Sequence, residues 1–529
     1  MVLALPPAPF QIQNRCRRTR QPWWTERLAV ALSPSSLAQR PSYKWWVFAT
    51  IAIGTFMTVV DHGSVLVALP EIEAHFSSDL PTVQWVVIGY ALAISVLLLP
   101  MGRLGDMLSR KHVYIAGFLL FVFAAALAGF APNLGFLIAA KVLQGVGSAL
   151  IQGNGMATII SAFPGKERGR ALGTHLSVVG SGSIVGPALG GILVSALDWR
   201  WVFFINVPVG IIAIAAAMLV LRRSGPAEGQ AGERPRFDWA GATLSGAALM
   251  LFLLVVGNGD RVGWDWAVIG VGLAACGASL GMFIWWELRT ASPMLELRLF
   301  QRRLVACGVA AGWLSFMGTG AVRFMMPFYM QRVLGFSPSE VGLLLIPSAV
   351  SMTLIGPIAG TLSDKWGWRT FTAGGLALSA AATFILAFAL TERSPVWLIV
   401  LMLVLQSSGT GLFNSPNNNS ILSAVERSRY GVVSALTQLA RNSANVTSVA
   451  VATTVVVVTM GSYGVEPSLD AVSPQVAGAF VAGLKWAFAL SGAFLVLGIF
   501  LSVFKGERRR EPEPAEAPVK QAASAGDGD

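Results

Sequence analysis

Stretches of about twenty mostly apolar residues, each long enough to cross a bilayer as a helix, recur along nearly the whole chain. Fourteen can be marked, at 45–68, 83–102, 112–130, 134–161, 171–194, 202–221, 238–257, 266–285, 303–331, 340–362, 371–391, 396–422, 431–460 and 477–504. Lipid offers no hydrogen bonds to exposed backbone, so such segments must be helices or parts of a closed barrel. Barrel strands alternate over about ten residues, and these runs are longer and apolar throughout. The chain therefore reads as an all-α integral membrane protein. Of its 529 residues only 12% are charged, about half the fraction usual in a soluble domain.

The net charge of +11 raises nucleic acid as a partner, but its distribution argues otherwise. With the N-terminus placed in the cytoplasm, thirty of the 38 lysines and arginines fall in inner loops and tails. Four lie in outer loops, Arg200, Arg261, Arg332 and Arg393, and four within spans, Lys141, Arg323, Arg441 and Lys485. That asymmetry is a topology signal. It puts both termini in the cytoplasm of a multi-pass protein of the inner or plasma membrane, with the lipid bilayer and no nucleic acid as partner. Residues 1–44 read as a basic cytoplasmic tail and 506–529 as a disordered one. The three cysteines form no CxxC pair, and no metal site is expected. No GxxxxGK[ST] phosphate loop occurs, so ATP is not the expected fuel. No HExxH or Ser/His/Asp pattern suggests an enzyme. An ion gradient, with no cofactor, is the driving force that is left.

The chain also repeats itself. GRLGDMLSRK at 102–111 matches GTLSDKWGWR at 360–369, placing Asp106 over Asp364. VLQGVGSAL at 142–150 matches VLQSSGTGL at 404–412, with Gln144 over Gln406. KERGRALG at 166–173 matches VERSRYGV at 425–432, with Arg168 and Arg170 over Arg427 and Arg429. The offsets, 258, 262 and 259, are nearly constant. The repeat pairs spans 1–6 with spans 9–14. It predicts six-helix bundles at 45–221 and 303–505, joined through 222–302, a linker that carries two extra transmembrane helices. Two similar halves around a central site is a transporter plan, in which rocking exposes the site to each side in turn.

Several motifs then carry a family resemblance over about 45–505. DHGSVLVALP at 61–70 sits in the first span, GRLGDMLSRK between spans 2 and 3, and KVLQGVGSAL at 141–150 in span 4. GSGSIVGPALGG at 180–191 lies in span 5, with WRWVFFINVPVG at 199–210 and LARNSANV at 439–446 further on. Together they resemble the fourteen-span drug:proton antiporter group of the major facilitator superfamily, the EmrB/QacA type. The chain departs from the family pattern at Lys141, where arginine is usual, and at Met107 and Ser109. The resemblance implies the major facilitator fold and proton-coupled efflux of small amphipathic or cationic compounds by alternating access. The alternative is a lipid or glycolipid exporter on the same scaffold. A monomer that binds a small-molecule substrate and protons is expected.

Asp61 is the carboxylate placed well inside a span. An acid there costs ~2.5–3.5 kcal/mol on insertion scales, and protonation removes much of that cost. With the resemblance, Asp61 reads as a proton carrier, for which the substrate competes, and a structural hydrogen-bonded aspartate is the plain alternative. At ~1.5 Å per residue, Asp61 and Lys141 both fall ~10–12 Å below the outer surface, so Lys141 is a candidate coupling partner. Depth leaves their rotation open. His62 lies about 100° further round the helix and is read with Arg323, Arg441 and Asn445 as lining a substrate cavity or packing within the bundle. Phe316, Phe324, Met325, Met326 and Phe328 could line an adaptable cavity, though packing is their default. Gly182, Gly186 and Gly190, four apart, allow close helix approach, and Pro187 adds a bend; in the antiporter motif they read as a tight, bendable gate. Gly102, Arg103, Asp106, Arg110, Lys111, Arg168, Arg170 and Asp364 read as a cytoplasmic latch.

Overall fold

A computed structural model describes residues 42–504 except 165–166, 223–237, 259–265, 291–296, 426–429 and 466–473. Residues 1–41 of the tail expected at 1–44, the tail expected at 506–529, and most of the stretch linking spans 6 and 7 lie outside the described residues; Tyr43 and Lys44, expected in the tail, belong to the first helix. Among the described residues every regular element is a helix. The first half comprises α1 (Tyr43–His75), α2 (Trp85–Met107), α3 (Arg110–Gly129), α4 (Leu134–Ala162), α5 (Arg168–Ala196) and α6 (Asn206–Val220). Then come α7 (Trp239–Asn258) and α8 (Trp266–Arg289). The second half holds α9 (Arg303–Phe328), α10 (Pro338–Trp366), α11 (Trp368–Ala389), α12 (Val396–Ser423), α13 (Tyr430–Ser462) and α14 (Pro474–Phe504). Thirteen helices among the described residues are long and apolar enough to span a membrane, and α7 adds a shorter apolar stretch, Trp239–Phe252.

Local sequence sets the ends of these helices. Asn133 caps α4, its side chain accepting from the Phe136 N–H at 2.8 Å. Ser337 and Glu340 form a capping box ahead of α10, with Pro338 in the first turn, where its missing N–H costs nothing. The prediction that the first span ends at 68 is corrected: α1 continues through Pro70 to His75. Proline cannot supply the helical hydrogen bond, but the second half satisfies backbone around it. Gln331 Nε2 donates to the Val67 carbonyl at 2.9 Å, and the Arg332 guanidinium donates to the Pro70 carbonyl. Both donors lie on a π-helical turn, Tyr329–Val333, that extends α9. Arg332, expected in an outer loop, is thus part of a seam between the halves.

The halves meet along α5 against α10 and α2 against α13, with α7 resting on the α2–α13 seam. α8 contacts α7 and is mostly exposed, as a lipid-facing helix would be. The apolar core is asymmetric. Toward the outer ends, Val65 and Leu69 of α1, Val86 of α2, Phe324 and Met325 of α9 and Val449 of α13 belong to one continuous cluster. Toward the inner ends the clusters separate, one around Phe48, Tyr114 and Phe121 and another around Val305, Ile421 and Val433. The outer side is therefore closed in this conformation.

Candidate functional site

Asp61 is buried on α1, 1% exposed, and three donors surround it. Lys141 Nζ on α4 lies 2.9 Å from Oδ2. Oδ1 accepts from Gln144 Nε2 at 3.1 Å and from Asn206 Nδ2 at 2.9 Å. Lys141 and Gln144 are three apart on α4, so one helix face presents both. Asn206 is the first residue of α6. The Lys141 ammonium donates again to Gln144 Oε1 at 2.6 Å. It also sits 4.3 Å from the centre of the Tyr90 ring and 5.6 Å from that of Phe203, where the π faces favour a cation. A buried charge pair persists only when its remaining lone pairs and protons are satisfied, and here they are. Fourteen residues of α1 separate Asp61 from His75, about 21 Å of helix, so the carboxylate lies near mid-helix.

Glycines set the approach of the helix behind Asp61. A Cβ on Gly186 would meet the Val60 carbonyl oxygen at 2.9 Å, and one on Gly190 would meet Ser64 Cα at 2.5 Å. The 182–186–190 ridge of α5 therefore lies directly on α1 beside Asp61, with Gly182 against Val59. Ser64 Oγ donates to the Gly186 carbonyl at 2.7 Å, next to Pro187, whose ring packs against Gly63.

The next residue faces elsewhere. His62 lines an open pocket between the halves, with Leu66, Ile88, Arg323, Phe324 and Asn445. Asp61 does not line it. Arg323 is exposed to this space, and among the described residues no acceptor is within hydrogen-bond distance of its guanidinium. Of the other apolar side chains considered on α9, Met325, Met326 and Phe328 are fully buried in the outer core. Arg441 lies one turn before Asn445 on α13 and donates to Gln438 Oε1 at 2.6 Å. Gln438 Nε2 donates across the halves to Gln152 Oε1 at 3.0 Å. Gln152 Nε2 donates to Ser148 Oγ at 2.9 Å, and the Tyr90 hydroxyl donates to the same oxygen at 3.0 Å. A continuous polar chain thus runs from Arg441 to the ring that covers Lys141. Lys485 is partly buried on α14.

At the inner surface, Arg110 donates to the Ala157 carbonyl of α4 at 3.1 Å and Lys111 to the Met218 carbonyl of α6 at 2.6 Å. Both hold helix C-terminal ends, where cations are favoured, within the first half. Gly102 approaches α4 closely, a Cβ there lying 3.2 Å from the Gly153 carbonyl oxygen. Arg103 is half-buried at the end of α2. The side chains of Asp106, Arg168, Arg170 and Asp364 lie outside the described residues.

Sequence reasoning did not assign Tyr90, Gln144, Gln152, Asn206 or Gln438. Gln144 was within reach, because the repeat singles it out over Gln406; in the second half Leu403 stands where Lys141 stands in the first. The charged pair belongs to one half only.

Comparison with known proteins agrees with this architecture. The chain is 32% identical over 391 residues to the riboflavin transporter RibZ of Clostridioides difficile (strain 630), covering 73% of this chain and 83% of that one. It is 28% identical over 547 residues to the tetracenomycin C resistance and export protein of Streptomyces glaucescens, covering 95% and 99%. The crystal structure of a bacterial homologue of the human lysosomal transporter Spinster, inward-facing and unoccupied, shares the fold with a TM-score of 0.63 at 17% identity, covering 88% and 97%. The model of the Major Facilitator Superfamily matches residues 51–449. The chain, a multi-pass transport protein of the cell membrane and not an enzyme, belongs to the Major Facilitator Superfamily.

Proposed function

We propose that the protein exports small amphipathic compounds in exchange for protons, by alternating access. The observation that carries this reading is the sealed Asp61–Lys141 pair, set between the α1–α5 glycine contact and the wall of the pocket. A proton on Asp61 removes its charge and the charge-assisted bond to Lys141, the strongest type of bond in the cluster. α1 lies on α5, and α5 lies on α10 of the second half. A change in how α1 is held is therefore felt where the halves meet. Cargo binds next door, against His62. Because Asp61 is closed off from that pocket, proton and cargo compete through the arrangement of the helices. This revises the expectation that they compete for the carboxylate itself.

The energy source is the proton gradient, with no bound cofactor, and the working unit is a monomer in the bilayer. One charge crossing 100 mV is worth ~2.3 kcal/mol, enough for roughly a fifty-fold concentration ratio. The relative named for tetracenomycin C export supports the outward direction. The test is flux in proteoliposomes under an imposed pH gradient, over a panel of amphipathic compounds, for wild type and Asp61→Asn. Flux that rises with the gradient and is lost in the variant is expected. Flux indifferent to both overturns the reading.

A further inference from the structure

We propose that the cargo of the central pocket is an amphipathic anion whose acidic group is held by the guanidinium of Arg323. The proposal rests on the transport reading above and adds the sign of what is carried.

Around His62 the described charges are Arg323, Lys141 and Arg441 against Asp61 alone, so the pocket is positive. His62, Arg323 and Asn445 supply its polar lining, and Leu66, Ile88 and Phe324 much of its apolar lining; among the described residues no carboxylate borders it. Arg441, a turn before Asn445, lies within electrostatic range of both Arg323 and His62. Asp61, the acid nearest in sequence, already spends both oxygens on Lys141, Gln144 and Asn206. A cationic cargo would meet the Arg323 guanidinium, with Arg441 in electrostatic range of it, and no carboxylate among the described lining residues. An anion would meet Arg323, whose planar fork suits a carboxylate or sulfonate and which donates to no described residue. The Asn445 amide can add a neutral hydrogen bond, and Phe324 and Leu66 a surface for an apolar body. Arg441 is partly engaged by Gln438, so it contributes positive potential while Arg323 makes the contact.

On this proposal the cationic compounds expected from sequence are not the cargo of this site, because the described lining residues offer a guanidinium and no carboxylate.

The test uses three probes on one ring system, naphthoate, naphthamide and naphthyl-trimethylammonium, titrated calorimetrically into the purified full-length protein. Naphthoate is expected to bind roughly tenfold or more tightly than the amide, as for a hydrogen bond to a charged group, and the ammonium most weakly. Arg323→Gln should weaken naphthoate by a similar factor and leave the amide within about twofold, while Arg323→Lys retains part of the preference. Absence of naphthoate binding, ammonium binding as tight as naphthoate, or naphthoate affinity unmoved by Arg323→Gln overturns the proposal. Asp61→Asn separates the two readings. If its pH-driven flux equals wild type while naphthoate is still preferred, proton coupling through Asp61 fails and the anion site stands. If that flux is lost while no anion preference exists in wild type, only the anion site fails.

Discussion

Lys141 Nζ lies 2.9 Å from Asp61 Oδ2, with the two side chains 2% and 0% exposed. Each member alone would be an uncompensated charge in an apolar bundle. Removing one partner of such a pair typically costs ~3–5 kcal/mol, whereas removing both together costs far less. Lys141→Met should therefore lower the unfolding temperature in detergent markedly, and Asp61→Asn should do so by leaving the ammonium unpaired. The Asp61→Asn/Lys141→Met double variant should recover much of the loss. Additive losses in the double variant would show that the two charges do not support each other.

The glycine ridge is the second point of test. In Gly190→Ala the new methyl would lie 2.5 Å from Ser64 Cα and 2.7 Å from its carbonyl oxygen, so α1 and α5 must separate. Overpacking of this kind costs ~1–3 kcal/mol. The protein is expected to fold and to bind cargo but to lose transport by at least about tenfold, as when packed helices that must slide are misplaced. Transport at the wild-type rate would remove the close approach from the mechanism.

The polar chain from Arg441 to Tyr90 predicts a different phenotype. Gln438→Ala breaks the 3.0 Å bridge to Gln152 without touching Asp61. Couplings carried by such networks are worth ~0.5–2 kcal/mol. Cargo affinity should change little, while protons moved per cargo fall by several-fold in a joint flux and pH assay. An unchanged ratio would leave the bridge a packing feature only.

The outer seam is held by Gln331 and Arg332 on the carbonyls of Val67 and Pro70. Gln331→Ala/Arg332→Ala should favour the outward-open arrangement. A cysteine placed at Val87, buried in the closed outer core, should then react faster with an impermeant maleimide added from outside, in a background with Cys16, Cys276 and Cys307 replaced by serine. Equal labelling rates would count against the seam as a gate.

How far these relationships could be read from sequence depends on what fixes each one. Helix number followed from apolar length, because lipid enforces backbone pairing inside each segment. The depth of Asp61 and Lys141 suggested a meeting, but rotation about the helix axes depends on packing, here the glycine contacts of α5 on α1 and of α4 on α2 and α3. The end of α1 was misplaced because Pro70 looks like a terminus; the groups that satisfy its surroundings, Gln331 and Arg332, are more than 260 residues away. Asn206 gave no signal in charge or period, since its role is to complete the shell of an acid on another helix. His62 and Asp61 are neighbours in sequence that face different places, as the 100° step between adjacent helical residues requires.

The central claim is that Asp61 exchanges a proton when cargo binds, and the most direct measurement is proton release from the purified protein in weakly buffered detergent solution. On addition of a transported compound over a series of starting pH values, the account predicts a pH range in which wild type releases up to about one proton per protein, the quantity linkage requires when binding favours the deprotonated state, and none from Asp61→Asn. Equal release from the two proteins, or none from wild type despite saturating cargo, would contradict it.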